Sequence, residues 1–348
     1  MTESYTLRAL GWSPAFQAQV ELDEMARTEP LRVAMVHRNG VDLIGSQGAA
    51  RVETAGDLAS DRMAVGDWLL VDRTTGRPVR LLDRRSLIQR RAAGTGRAVQ
   101  LIAANIDTLF VVTSCNADFN PARLERYLAL ARQAGVLPVV VLTKADTCDD
   151  PLAFTDRVAQ IAPALAVEAV NALDPGDVAR LLAWCGPGET LALVGSSGVG
   201  KSTLINGLAG AGQATRGIRE DDAKGRHVTS ARSLHRMPSG AWLIDTPGMR
   251  ALRLHDAAEG IDEVFADIAD LAAACRFADC AHATEPGCAV RAAIEAGSLD
   301  PDRLARWRKL QREDARNTAS IAEQRRQSRA TGRLYRAIQG EKRDLKGR

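Results

Sequence analysis

The stretch Leu191-Ala192-Leu193-Val194-Gly195-Ser196-Ser197-Gly198-Val199-Gly200-Lys201-Ser202-Thr203-Leu204-Ile205 decides how this chain of 348 residues is read. Four consecutive apolar residues predict a buried strand, Thr203 onward predicts a helix, and the glycines fall at the turn between them. In that setting Gly195, Gly198 and Gly200 let the backbone wrap closely around a polyphosphate. Backbone N–H groups from Ser196 and Ser197 through Val199 to Thr203 point at the anion, Lys201 adds charge, and the Ser202 hydroxyl can ligate Mg²⁺. The stretch is a phosphate-binding loop for a nucleoside triphosphate, and by itself it is silent about the base.

Upstream of the loop the chain alternates strands with helices after Gly94-Thr95-Gly96. Ile106–Val112 reads as a buried strand, Pro121 to about Gln133 as a helix begun by Asn120-Pro121, and Leu137–Leu142 and Leu165–Val170 as two further strands. Such alternation implies a parallel sheet with its ligand at the carboxyl ends of the strands. Thr143-Lys144-Ala145-Asp146 stands at one such end. Alone it is an ordinary helix cap; beside a phosphate loop it gains a base-reading role. The Asp146 carboxylate can accept two hydrogen bonds from guanine, which adenine cannot offer, and the aliphatic stem of Lys144 can lie along the base. Asn171-Ala172, ending the next strand, can bring a backbone N–H to the guanine oxygen.

Downstream, Gly212–Ser230 lacks periodicity and predicts a long mobile loop containing His227-Val228-Thr229-Ser230. A short strand from Arg232 to Met237 follows, and then Trp242-Leu243-Ile244 runs into Asp245-Thr246-Pro247-Gly248. Asp245 at a strand end can hold Mg²⁺ through water, and the Gly248 N–H can meet a γ-phosphate.

The rest of the chain is read around this centre. Residues 1 to about 28 show little periodicity and are left unassigned, whereas about five short strands between Leu31 and Leu82, with an Asn39-Gly40 hairpin signal, predict a small barrel of the OB or SH3-like kind. Net charge is only +3, but seven arginines and one acid lie between Arg73 and Arg91, and nine basic residues face two acids between Arg325 and Arg348. Local basic surface of this kind suits a polyanion, and without interleaved aromatic residues it suits phosphate contact better than base stacking. No run of eighteen apolar residues and no leader-like start occur, so a cytoplasmic protein with no membrane role is expected. Cys115, Cys148 and Cys185 read as core residues of a reducing compartment. Cys275, Cys280, His282 and Cys288 form Cys-x4-Cys-x-His-x5-Cys, the donor set of a closed, structural Zn²⁺ site. Beyond it Asp300-Pro301 starts a helix whose Leu304, Trp307 and Leu310 form one stripe that packs on the metal region.

The nucleotide motifs stand in an unusual order, base-reading Thr143–Asp146 first, phosphate loop second, Asp245–Gly248 last, so the domain is circularly permuted. With a barrel before it and a Cys/His cluster after it, the chain resembles the bacterial ribosome small-subunit-dependent GTPase family, RsgA or YjeQ. The resemblance runs from about residue 30 to about 310 and includes Gln100–Asp107, Asp118-Phe119-Asn120 and Arg123–Leu128. It implies an α/β fold in three parts. These are an OB-like barrel over 30–93 behind an extension over 1–29, a permuted GTPase domain over 97–254, and a zinc-binding helical domain over 255–320 with a basic tail over 321–348. It also implies GTP hydrolysis to GDP with Mg²⁺, one structural Zn²⁺, and stimulation by the small (30S) ribosomal subunit in late maturation, through rRNA contact and as a monomer. The family's His-Thr-Thr-Thr becomes His227–Ser230 here, with Thr229 keeping the hydroxyl for Mg²⁺; the base-reading Asn becomes Thr143, and Ser-Ala becomes Asn171-Ala172. Met249 follows Gly248 where many GTPases carry a water-orienting Gln, so His227 is the candidate catalytic group, alongside Lys201 and Thr229. Two other readings compete: a nucleotide-gated RNA-binding module whose hydrolysis is incidental, and a phosphate-loop kinase or ATPase, which the guanine-reading Asp146 disfavours.

Overall fold

The structure, a computed structural model, describes residues 4–91, 99–210, 232–245 and 257–318. The stretches holding His227, Thr229 and Gly248, and the basic tail, lie outside the described residues. Contacts divide the chain into two units, one holding the described residues up to 90 and from 100 to 245, the other holding 91, 99 and 257–318.

The first unit is built on one eleven-stranded sheet. Five antiparallel strands begin it: β1 (Thr28–His37), β2 (Gly40–Gly45), β3 (Gly48–Glu53), β4 (Trp68–Asp72) and β5 (Pro78–Leu81). The ten-residue β1 pairs with β4 along its first half and with β2 along its second, so the ribbon coils around Leu31, Val33, Val41, Leu43, Leu69 and Val71 as an OB-like barrel. Trp68 is fully buried, and the segment before β1 packs on it: Trp12 meets its ring edge-on at 4.9 Å and Phe16 at 5.9 Å. That segment forms α1 (Pro14–Gln17) and α2 (Leu22–Arg27).

A hairpin of β6 (Leu87–Arg91) and β7 (Val99–Ala104) leads into the nucleotide-binding half. Here β8 (Thr108–Ser114), β9 (Leu137–Thr143), β10 (Ala166–Ala169), β11 (Thr190–Gly195) and β13 (Trp242–Asp245) run parallel, in the order β10-β9-β8-β11-β13. The near-continuous burial of β8, β9 and β11 is that of parallel strands covered on both faces. Antiparallel β12 (Ser233–Arg236) lies beside β13, and its other edge meets β1 at Ser233 and Met35, so barrel and nucleotide half share one sheet. Crossover helices follow the strands: α3 (Pro121–Gln133), α4 (Pro151–Ile161), α5 (Pro175–Arg180) and α6 (Lys201–Ala209). Asn120 caps α3 as its sequence predicts, its side chain accepting from the Arg123 N–H at 3.0 Å.

The signature Gln100–Asp107 finds its role at the junction of barrel and parallel strands. Buried Asn105, at φ 56°, donates to the Gly66 carbonyl at 3.0 Å and accepts from the Arg85 N–H at 2.9 Å. Gly66 has no room for a side chain, since a Cβ there would lie 2.1 Å from the Ala104 carbonyl. Asp107 accepts from the Arg85 guanidinium and from the Thr190 N–H at the start of β11.

The second unit contains α7 (Ala258–Val264), α8 (Ala266–Ala273), α9 (Ala289–Glu295) and α10 over 301–318. Ile261, Phe265, Ile268, Val290, Leu304, Trp307 and Leu310 are buried in it. Arg303 pairs through two nitrogens with Asp267 at 2.7 and 2.8 Å and lies over the Phe265 ring.

Candidate nucleotide site and metal centre

From β8 the chain proceeds outward to β9 and β10, then returns to lay β11 on the other side of β8. This reversal of direction falls between β8 and β11, and it is at the carboxyl ends of strands at such a point that open α/β sheets take their ligands. The phosphate loop leaves β11, Thr143–Asp146 leaves β9, Asn171-Ala172 follows β10, and Asp245 ends β13. Motifs scattered over a hundred residues thus share one end of one sheet.

The phosphate loop turns through positive φ at Gly198 (81°) and Gly200 (88°). A Cβ on Gly195 would stand 2.3 Å from the Val112 carbonyl, so only glycine lets β11 lie this close to β8 as it enters the loop. The Lys201 ammonium reaches back to the Gly195 carbonyl at 2.8 Å and to that of Ser196, which fixes it inside the loop at the N-terminus of α6. Buried Thr143, in place of the more usual Asn, stitches two motifs together: its hydroxyl lies 2.6 Å from the Val199 carbonyl and 3.1 Å from that of Thr113.

Lys144 adopts a left-handed backbone, φ 59°, and the following turn leaves Asp146 exposed. The Asn171 N–H is held by the Asp177 carboxylate at 2.7 Å, which leaves Ala172 as the candidate of the pair to offer its N–H to a base. Burial pushes the Asp245 carboxyl above its ordinary range, against a smaller opposing effect of His235. A desolvated carboxylate is the group whose charge a bound cation restores, so the chemistry of Asp245 is compatible with Mg²⁺.

Sequence reasoning left Asp118 out of the site. It follows β8, and its Oδ2 accepts from the Ser196 hydroxyl at 2.7 Å. The signal was in the sequence as the Asp118-Phe119-Asn120 signature, without a partner to explain it.

In the second unit Cys275, Cys280, His282 and Cys288 converge, with all four donor atoms within 4.8 Å of one another. Cys275 and Cys288 sulfurs are 3.8 Å apart, and each lies 3.5 Å from His282 Nδ1. Tetrahedral zinc with ordinary bond lengths separates two sulfurs by about 3.8 Å and a sulfur from a nitrogen by about 3.5 Å, so Cys275, His282 and Cys288 stand at zinc-ligand spacing, with Cys280 within 4.8 Å of them. The loop is held by Glu285, whose carboxylate accepts from the N–H groups of Ala281 at 3.1 Å, Ala283 at 2.7 Å and Thr284 at 3.0 Å. Its own N–H and that of Ala283 draw the Glu285 carboxyl down to about 2. His282 takes a left-handed φ of 57°, with its ring 5.8 Å from Trp307 of α10.

The basic stretch Arg73–Arg91 is largely engaged within the protein. Arg73 pairs with Glu29, Arg80 with Glu24, Arg84 with Asp67 and Arg85 with Asp107, while Arg90 donates to Gln100.

A phosphate loop after β11, the Thr143–Asp146 turn after β9 and a carboxylate ending β13, on a sheet threaded in this order, define a circularly permuted phosphate-loop GTPase. The chain matches the model of the RsgA GTPase family over residues 81–255 and belongs to that family. It is 51% identical over 346 residues to the small ribosomal subunit biogenesis GTPase RsgA 2 of Vibrio vulnificus, covering 99% of this chain and 98% of that one. It is 52% identical over 319 residues to the small ribosomal subunit biogenesis GTPase RsgA of Mesorhizobium japonicum, covering 90% and 92%. Among solved structures, YjeQ from Thermotoga maritima superposes with a TM-score of 0.61 at 23% identity over 81% of this chain and 97% of that one. YloQ, described as a circularly permuted GTPase, superposes with 0.58 at 20% identity over 81% and 93%. These two likenesses are of fold.

Proposed function

We propose that this GTPase acts in the late maturation of the small ribosomal subunit, binding the subunit and its rRNA and hydrolysing GTP to GDP faster when bound. The observation that carries this reading is identity of 51–52% to two small ribosomal subunit biogenesis GTPases across nine tenths or more of each chain. The site supports it, since the base, phosphate and metal loops all issue from the same end of the sheet.

In this reading Asp146 and Lys144 hold guanine, the Ala172 N–H meets its oxygen, and the amides of 195–203 hold the phosphates. Lys201 stabilises charge on the transferring phosphoryl group. Ser202, Thr229 and Asp245 would hold Mg²⁺, which would supply charge neutralisation at the phosphates. The Gly248 N–H contacts the γ-phosphate. His227 orients the attacking water in place of the glutamine that Met249 displaces. Cys275, Cys280, His282 and Cys288 would hold one structural Zn²⁺, which would tie together a segment with few apolar residues of its own. Because most arginines of 73–91 are already paired, rRNA phosphates are met chiefly by the tail over 321–348. The protein works as a monomer in the cytoplasm; no helix among the described residues is long and apolar enough to cross a membrane.

The test is GTP turnover measured with and without purified small subunits, with subunit co-sedimentation in GTP analogue and in GDP. Strong stimulation and tighter association in the triphosphate state are expected; turnover indifferent to subunits would overturn the reading. His227→Ala should lose the stimulated rate while keeping nucleotide affinity. Asp146→Asn should shift preference from guanine to xanthine nucleotides.

A further inference from the structure

We infer that Asp118 is a positioning residue for GTP binding, acting through Ser196 on the phosphate loop and its lysine. It lies where the chain leaves β8, one strand away from the loop that leaves β11.

Three neighbours fix that short segment. The Asn116 side chain accepts from the Ser114 hydroxyl and from the Asp118 N–H, both at 2.9 Å, which turns the chain sharply after the strand. Phe119 is buried, packed edge-on against Phe154 at 5.5 Å and covered by the Arg157 guanidinium at 4.3 Å. Asn120 caps α3. Asp118 is therefore aimed by a rigid corner.

Each oxygen of its carboxylate has its own partner. Oδ1 pairs with Arg123 at 3.0 Å, from the first turn of α3, while Oδ2 accepts the Ser196 hydroxyl at 2.7 Å. Partial burial works against the charged form, and the Ser196 hydroxyl, Arg123 and Lys144 outweigh it, leaving the carboxyl below its ordinary range. An unpaired carboxylate so near a triphosphate would repel it; pairing with Arg123 offsets that cost while keeping a charge-assisted acceptor for Ser196. Ser196 in turn offers its carbonyl to Lys201, beside the Gly195 carbonyl. A line of contacts thus runs from the corner after β8, through Asp118 and Ser196, to the ammonium that faces the phosphates.

The inference rests on reading residues 195–203 as the GTP phosphate loop. Its test is titration of the full chain with a fluorescent GDP analogue in Mg²⁺, for Ser196→Ala, Asp118→Ala, Asp118→Asn, the double alanine variant and Lys201→Ala. Hydrogen bonds to charged groups of this exposure set the expected loss at about fivefold to tenfold in affinity for each single alanine. The double variant should bind no more weakly than the weaker single, because both remove one contact. Asp118→Asn, which keeps an acceptor oxygen, should recover part of the loss, and in turnover the deficit should fall on KM more than on kcat. Ser196→Ala leaves Arg123 and the α3 cap untouched, so it reports even if Asp118→Ala fails to fold. GDP bound normally by Ser196→Ala, or losses that multiply in the double variant, would overturn the inference while Lys201→Ala remains defective. A Lys201→Ala chain that binds GDP normally would remove the loop reading and this inference with it.

Discussion

Thr143 shows how a single hydroxyl serves two motifs. Its side chain is fully buried and spans from the base-reading strand to the Val199 carbonyl in the phosphate loop. Thr143→Val keeps the shape and strands that carbonyl, which should destabilise the protein by about 1–3 kcal/mol in urea unfolding. It should also weaken guanine nucleotides, since the loop loses its tether to the strand carrying Lys144 and Asp146. At this scale the site was largely legible in the sequence. Gly195–Ser202, Thr143–Asp146 and Cys275–Cys288 each bring their chemistry together within a few residues, and local spacing is what a linear reading detects. Asp118 escaped because its partner Ser196 is 78 residues away. Nothing near Asp118 in the chain announces a hydroxyl to receive.

The elements repeat that division. The helix from Pro121 to about Gln133 could be placed because Asn120-Pro121 marks its start. The segment before β1 could not, since α1 has four residues, α2 has six, and the one buried residue of the two, Phe16, packs on distant Trp68. One tie on α2 yields a pH prediction. Arg80 of β5 grips Glu24 with two hydrogen bonds, at 3.0 and 2.7 Å, and chiefly for that reason the Glu24 carboxyl titrates below its usual 4.5. A carboxylate depressed on folding stabilises above its unfolded pKa, and the contribution disappears as pH falls through the folded value. Glu24→Gln should therefore cost under about 1 kcal/mol at neutral pH, the pair being partly exposed. The difference from the parent should close as urea unfolding is repeated at successively lower pH below 4.5. In the metal loop, Cys280→Ser should abolish stoichiometric zinc, read by atomic emission. Glu285→Gln should keep the ion but weaken its retention against a chelator by about 10–100-fold, because the groups that orient ligands contribute on that order.

At the scale of the whole molecule, the sequence predicted a barrel and a permuted GTPase domain as successive parts. Their common sheet was not legible, because the pairing of Met35 with Ser233 joins strands with no pattern in common. The junction is also held at Asn105, which bridges Gly66 and Arg85. Asn105→Ala places an alanine at left-handed φ and strands the buried Gly66 carbonyl and the half-buried Arg85 N–H, so a loss of about 2–4 kcal/mol is expected. If barrel and parallel strands unfold together, amide exchange of β1 and β12 will report one opening free energy, lowered equally by this variant.

The seam between β1 and β12 also governs the order in which the protein can be made. The ribosome releases β1 first and β12 about 200 residues later, so the barrel leaves synthesis with one edge unsatisfied. Strand β8 waits in the same way for β11, which must slide in beside it after β9 and β10 have already taken its other side. Permuted order thus turns an ordinary sheet into one that closes from the outside inward and only near the end of translation. A nascent chain arrested before Thr190 would hold both of these strand edges open at once, the condition under which chains seek each other rather than themselves.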